Sequence, residues 1–94
     1  MKNTILVKQM EIKLNIPEYS TEQGLRSIWE DGFEIETEII DNEIVIKANR
    51  AGLISLAKQL LTLAHDNVPS SCHFHLDEHS GLETGSKNLI IEKS

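Results

Sequence analysis

Aromatic side chains are scarce in this chain of 94 residues, at 4%, so its core must be built from Leu, Ile and Val. One cysteine, Cys72, excludes an internal disulfide and fits a reducing compartment. No run of 18 apolar residues is present, and no charged-then-apolar leader ends in small residues. A membrane span and a secretory signal are therefore unsupported, and the expectation is a cytoplasmic protein. Clustered Lys and Arg are also missing, which disfavours direct binding of nucleic acid, since phosphate contacts need them. Repeats, low-complexity tracts and linkers are absent as well. At this length a single core can be stable without help, so residues 1–94 are expected to form one domain. The apolar fraction of 39% and the charged fraction of 26% are those of an ordinary globular protein.

What the chain does have is acid, placed unevenly. The net charge is −6. Residues 18–47 hold nine acids against Arg26 and Lys47, net −7, while residues 1–17 are net +2 and residues 48–94 net −1. Such a segment accepts a basic partner more readily than an acidic one, because opposite fields speed encounter. The competing reading is that the acidity only maintains solubility.

From Lys8 the chain alternates, with Met10, Ile12, Leu14 and Ile16 on one side and polar residues between them, and Pro17 closes the run. This predicts a half-buried strand, although Ile5 and Val7 fall on the opposite parity. Ser20-Thr21-Glu22-Gln23 reads as a capping box, and Leu25, Ile28 and Trp29 follow at helical spacing, predicting a short helix at about 21–31. Gly24 weakens such a helix by ~1 kcal/mol relative to Ala. The alternative uses Asp31-Gly32 as a hairpin turn after a strand at 25–30.

The next hairpin is clearer. Phe33, Ile35, Thr37 and Ile39 alternate with Glu34, Glu36 and Glu38, and Ile44, Ile46 and Ala48 alternate with Glu43, Val45 and Lys47. A two-residue turn at Asp41-Asn42 pairs Ile39 with Ile44, Thr37 with Ile46, and Ile35 with Ala48. It also sets Glu36 opposite Lys47 and Glu38 opposite Val45, so both faces are consistent. The glutamate row is expected on the face away from the core.

Asn49 is a suitable N-cap for a long helix at about 50–65. Leu53, Leu56, Ala57, Leu60, Leu61 and Ala64 form its apolar stripe, widened by Ile54 and Leu63. Asn67 and Pro69 stop it. Cys72, Phe74 and Leu76 then alternate with His73, His75 and Asp77, and a return strand follows at Lys87 to Lys93. The fold class is α+β: an antiparallel sheet of about five strands with the long helix on one face.

The stretch CHFHLDEHSGLETGS holds three of the four histidines and is the obvious place to look for chemistry. On a strand, His73, His75 and Asp77 share a face. Two imidazoles and a carboxylate are fair ligands for zinc or non-haem iron. Residues i and i+4 of a strand nevertheless lie ~13 Å apart, so only His73 and His75 could share an ion. A third ligand would have to be His79 or a glutamate from a neighbouring strand. The favoured reading is that both rings simply cover the outer face and no metal is bound; a further one is that they titrate near neutral pH among the carboxylates.

Catalysis has less support. Cys72 and His73 point to opposite faces, and no Gly-x-Ser-x-Gly elbow or lysine-bearing phosphate loop accompanies Gly81 and Gly85. No enzyme activity and no cofactor are expected.

The order of motifs in the C-terminal half carries a resemblance. Asn49-Arg50-Ala51-Gly52-Leu53 runs into the leucine helix, followed by His73-Phe74-His75-Leu76-Asp77. Gly81-Leu82-Glu83, Gly85-Ser86 and Leu89-Ile90-Ile91-Glu92-Lys93 come after it. Over residues 44–93 this order resembles the bacterial immunity protein 32 family of polymorphic toxin systems. The resemblance implies a cytoplasmic protein that protects its producer by binding a cognate toxin. It supplies no catalytic residues. The positions matching the motif that could touch a toxin are His73, His75, Asp77 and Glu83, and these could equally shape the strand and loop. Glu34, Glu36 and Glu38 complete the candidate contact surface, and a basic toxin would suit them. The rival class is a small metal-binding or metal-sensing protein using His73 and His75.

Overall fold

A computed structural model describes residue 9 and residues 11–94. Their elements are β1 (Ile35–Ile40), β2 (Glu43–Ala48), α1 (Arg50–Ala64), β3 (His73–Leu76) and β4 (Leu89–Glu92). The class is α+β, as expected. The sheet is not. Four strands form two separate antiparallel pairs, β1 with β2 and β3 with β4, in place of one sheet of about five strands.

The hairpin has the expected register throughout, from Ile35 opposite Ala48 to Ile40 opposite Glu43. Its turn residues Asp41 and Asn42 both take positive φ, 49° and 67°. That is the conformation whose twist suits a two-residue hairpin, and Asp and Asn tolerate it better than bulkier residues.

The reason the two pairs do not merge lies at the other edge of β1. There the loop after β3 takes the hydrogen bonds a strand would have taken. The Glu83 amide donates to Ile35 O at 2.8 Å and the Lys87 amide to Thr37 O at 3.2 Å. Thr37 N donates to Ser86 Oγ at 3.2 Å, and Thr37 Oγ1 donates to Lys87 O. A loop, not a ladder, joins the halves.

Two N-terminal expectations need correction. Residues 11–16 have no regular structure, whereas a strand was expected there; Ile5, Val7, Lys8 and Met10 lie outside the described residues. The helix expected at about 21–31 is a single turn. Ser20 does act as a cap, accepting the Gln23 amide on Oγ at 3.1 Å, and its carbonyl accepts the Gly24 amide at 2.7 Å. Gly24 then adopts φ 66°, which cannot propagate a right-handed helix. The chain continues without regular structure to a turn at Asp31-Gly32, where the Phe33 amide donates to Glu30 O at 3.2 Å. The alternative reading therefore had the turn, but not the strand before it.

Helix α1 begins and ends where the sequence suggested, yet its buried face is rotated. The inward residues are Gly52, Ser55, Leu56, Gln59, Thr62 and Leu63, while Leu53, Leu60 and Leu61 are about half exposed. The cause is the segment preceding β1, which lies along the helix with peptide groups needing partners. Ser55 Oγ accepts the Glu30 amide at 2.8 Å. Gln59 Nε2 donates to Ile28 O at 2.9 Å, and Lys58 Nζ reaches Glu30 Oε1 at 3.0 Å. Polar side chains are drawn inward by this demand, and part of the leucine stripe is left outside.

One core unites the elements. Helix α1 contributes Leu56 and Leu63, β1 contributes Ile35, and β3 contributes Phe74 and Leu76. Val68 and Leu82 complete it from the connections. Trp29 stacks on Phe33 with ring centroids 4.6 Å apart. No helix among the described residues is long and apolar enough to cross a membrane.

Candidate partner-binding surface

Asn49 and Gly52 set the base of the hairpin. Asn49 Oδ1 accepts the Gly52 amide at 2.8 Å, as an N-cap should, and also the Glu34 amide at 3.0 Å. Its Nδ2 donates to Gly32 O at 2.9 Å. One side chain thus fixes both the start of α1 and the entry of β1. Gly52 is there because a Cβ would collide with the Glu34 carbonyl and sit 2.9 Å from an Ile35 side-chain carbon.

With that base fixed, the pleat of β1 turns Ile35 and Thr37 inward, and Glu36 and Glu38 to the other face. Glu34 is exposed. The loop on the β1 edge brings Glu83 alongside. Glu34, Glu36 and Glu83 line one open depression of about 340 Å³, together with Lys47. Lys47 Nζ lies 3.3 Å from Glu36 Oε1 and 3.9 Å from Glu38 Oε1. Its charge offsets part of the acidic row, a consequence that could be anticipated from the Glu36–Lys47 pairing in the register.

The histidine strand is built as the alternation predicts. Phe74 and Leu76 are buried, at 6% and 2% exposure, while His73 and His75 are exposed. Cys72 is partly buried and packs on the core. Across the ladder His73 faces Glu92 and His75 faces Ile90. His73 Nδ1 lies 3.2 Å from Ser71 O.

Asp77 is occupied locally. Its Oδ1 accepts the His79 amide at 2.9 Å and Ser80 Oγ at 3.1 Å. The His79 amide first, then the Ser80 hydroxyl and the nearby His75 and His79 rings, hold its carboxyl below the ordinary aspartate value of 3.8. Among the described residues, no three His, Cys, Asp or Glu side chains come together in a way that could hold a metal ion.

The structure therefore divides the candidate residues into groups. Glu34, Glu36 and Glu83 converge, with Glu38 next along the strand; His73 and His75 stand on a separate strand pair. Asp77 shapes the turn between the two regions. The motif glycines and their neighbours have similar local duties. Gly81, at φ 98°, leaves room for the Trp29 ring, which a Cβ would meet at 2.6 Å. Leu82 is core and Ser86 binds β1. Much of the motif is thus a device for seating one loop against the hairpin.

No curated protein and no solved structure matches the chain. The family model for immunity protein 32 matches residues 43–94, from the first residue of β2 through the helix, the histidine strand and the seated loop to the last strand. With more than half of its length matched, the chain belongs to the immunity protein 32 family.

Proposed function

We propose that this immunity protein neutralises a cognate toxin by stoichiometric binding, with the acidic outer face of the hairpin as its contact surface. The observation that carries the reading is the convergence of Glu34, Glu36 and Glu83 on one open depression, with Glu38 extending the row. Two distant parts of the sequence supply these carboxylates, and the loop holding Glu83 is tied to β1 by backbone bonds. The surface is thus pre-formed, which lowers the ordering cost of association. Its sign favours a basic toxin, through faster encounter and rejection of acidic competitors.

His73, His75 and Asp77 form a second, smaller part of the contact. The rings are exposed and their two nitrogens can donate and accept, which suits hydrogen bonding at the rim of an interface. Asp77 contributes by setting the turn that leads to Glu83.

The test is kinetic. Replacing Glu34, Glu36 and Glu38 together by Gln should leave the fold intact, since surface changes usually stay within about ±0.5 kcal/mol each. Association with the cognate toxin should slow, and its salt dependence should flatten. Association at the wild-type rate in low salt would reduce the acidic face to a solvated surface. The contact would then have to lie at the histidine strand and the Gly81–Ser86 loop.

A further inference from the structure

The outer edge of β2 pairs with nothing among the described residues, and edge strands of this kind invite another strand. The phase of the hairpin decides which groups point outward. The Asn49 amide donates to Glu34 O, so the bonded pairs are Glu34–Asn49, Glu36–Lys47, Glu38–Val45 and Ile40–Glu43. The amides and carbonyls of Ile44 and Ile46 consequently face away from β1. Their side chains lie on the other face from the glutamates, 76% and 43% exposed.

We infer that the partner for this edge is a second copy of the chain, joined antiparallel about a two-fold axis at Val45. In that register Ile44 and Ile46 lie opposite Ile46 and Ile44 of the other copy, and their outward amides and carbonyls form a bonded pair on each side of the axis. Glu43 lies opposite Lys47 of the other copy, twice. Charge and apolar pairing together select this register, since an axis one residue earlier would set Lys47 opposite the turn residue Asp41 but Ile46 opposite Asn42. An axis one residue later sets Lys47 opposite Val45 and Glu43 opposite Asn49, pairing no charges. Glu43 makes no ion pair among the described residues. The exposed Ile44 and Ile46 side chains of the two copies thereby cover each other, as an isologous interface requires. The glutamate rows of both hairpins then form one continuous acidic sheet face.

Sedimentation of the purified full chain without toxin, over a wide range of concentration, tests this. The wild type should show a monomer–dimer equilibrium. Ile46→Pro should abolish it with an unchanged circular dichroism spectrum, because proline there removes only an outward amide. Glu43→Lys alone and Lys47→Glu alone should each weaken self-association roughly tenfold, since each sets like charges opposite. An equimolar mixture of these two variants should restore the dimer. A monomeric wild type, or a mixture that stays monomeric, overturns the proposal. Hydrogen exchange at the Ile44 and Ile46 amides separates the other occupants. Protection should rise with concentration. Protection independent of concentration would assign the edge to another segment of the same chain, and protection only with toxin would assign it to the toxin; either contradicts self-pairing.

Discussion

Asn49 concentrates three hydrogen bonds on one amide side chain, linking the cap of α1 to both Glu34 and Gly32. Asn49→Ala should therefore cost about 2 kcal/mol, the upper end for a cap, as read by urea denaturation. A loss of only about 1 kcal/mol, that of an ordinary cap, would mean the links to Glu34 and Gly32 contribute nothing. Gly52→Ala should cost about 1–3 kcal/mol despite alanine's better helix propensity, because the new Cβ meets backbone and core atoms; a more stable variant in the same assay would refute the close approach. Asp77 makes a prediction in pH. Its folded carboxyl is held below the ordinary value, first by the His79 amide and then by Ser80. The stability it contributes is thus present above the unfolded value and is lost as pH falls through the folded one. Carbon-detected NMR titration should place its midpoint below the ordinary aspartate value, and Ser80→Ala should raise it. A midpoint at the ordinary value in the wild type would show that the turn does not hold its carboxyl.

At the scale of elements, α1 separates what a pattern can reveal from what it cannot. Its start follows from one local signal, the Asn49 cap, and its end from another, the His65–Pro69 segment, at an extended His65 rather than a left-handed Asn67. Its rotation does not, since it depends on where the Ile28–Glu30 peptide groups come to lie. Leu60→Ala and Leu61→Ala should each stay within about ±0.5 kcal/mol, while Leu56→Ala and Leu63→Ala should each cost about 2–4 kcal/mol. Thermal or urea unfolding of the four variants checks this, and equal losses at all four would restore the stripe read from the sequence. The hairpin was legible down to its register, because strict alternation on both arms and a turn-forming pair leave one consistent pairing. The histidine strand was legible for the same reason. The division into two strand pairs was not, because Glu83, Ser86 and Lys87 carry no strand pattern and act through single backbone and hydroxyl bonds. Ser20 shows the limit of a capping signal: the cap forms, but Gly24 and the apolar contacts of Leu25 and Trp29 with the core end the helix after one turn.

Over the whole molecule, three of the nine acids of residues 18–47 lie together on the outer face of β1 and at its entry. Glu34, Glu36 and Glu38 belong to that segment, and the loop after β3 adds Glu83 to them. Of these carboxylates only Glu83 lies within the residues matching immunity protein 32, so the candidate surface joins the matched part of the chain to the part before it. The separation of Glu83 from the other three is why pattern alone could name all four without placing them together. The most direct measurement of the central claim is amide chemical-shift mapping of the labelled protein on addition of its toxin. The largest changes should fall at residues 34–38 and 83–86, with smaller ones at His73 and His75. Changes confined to the exposed leucine face of α1, at Leu53, Leu60 and Leu61, would contradict it.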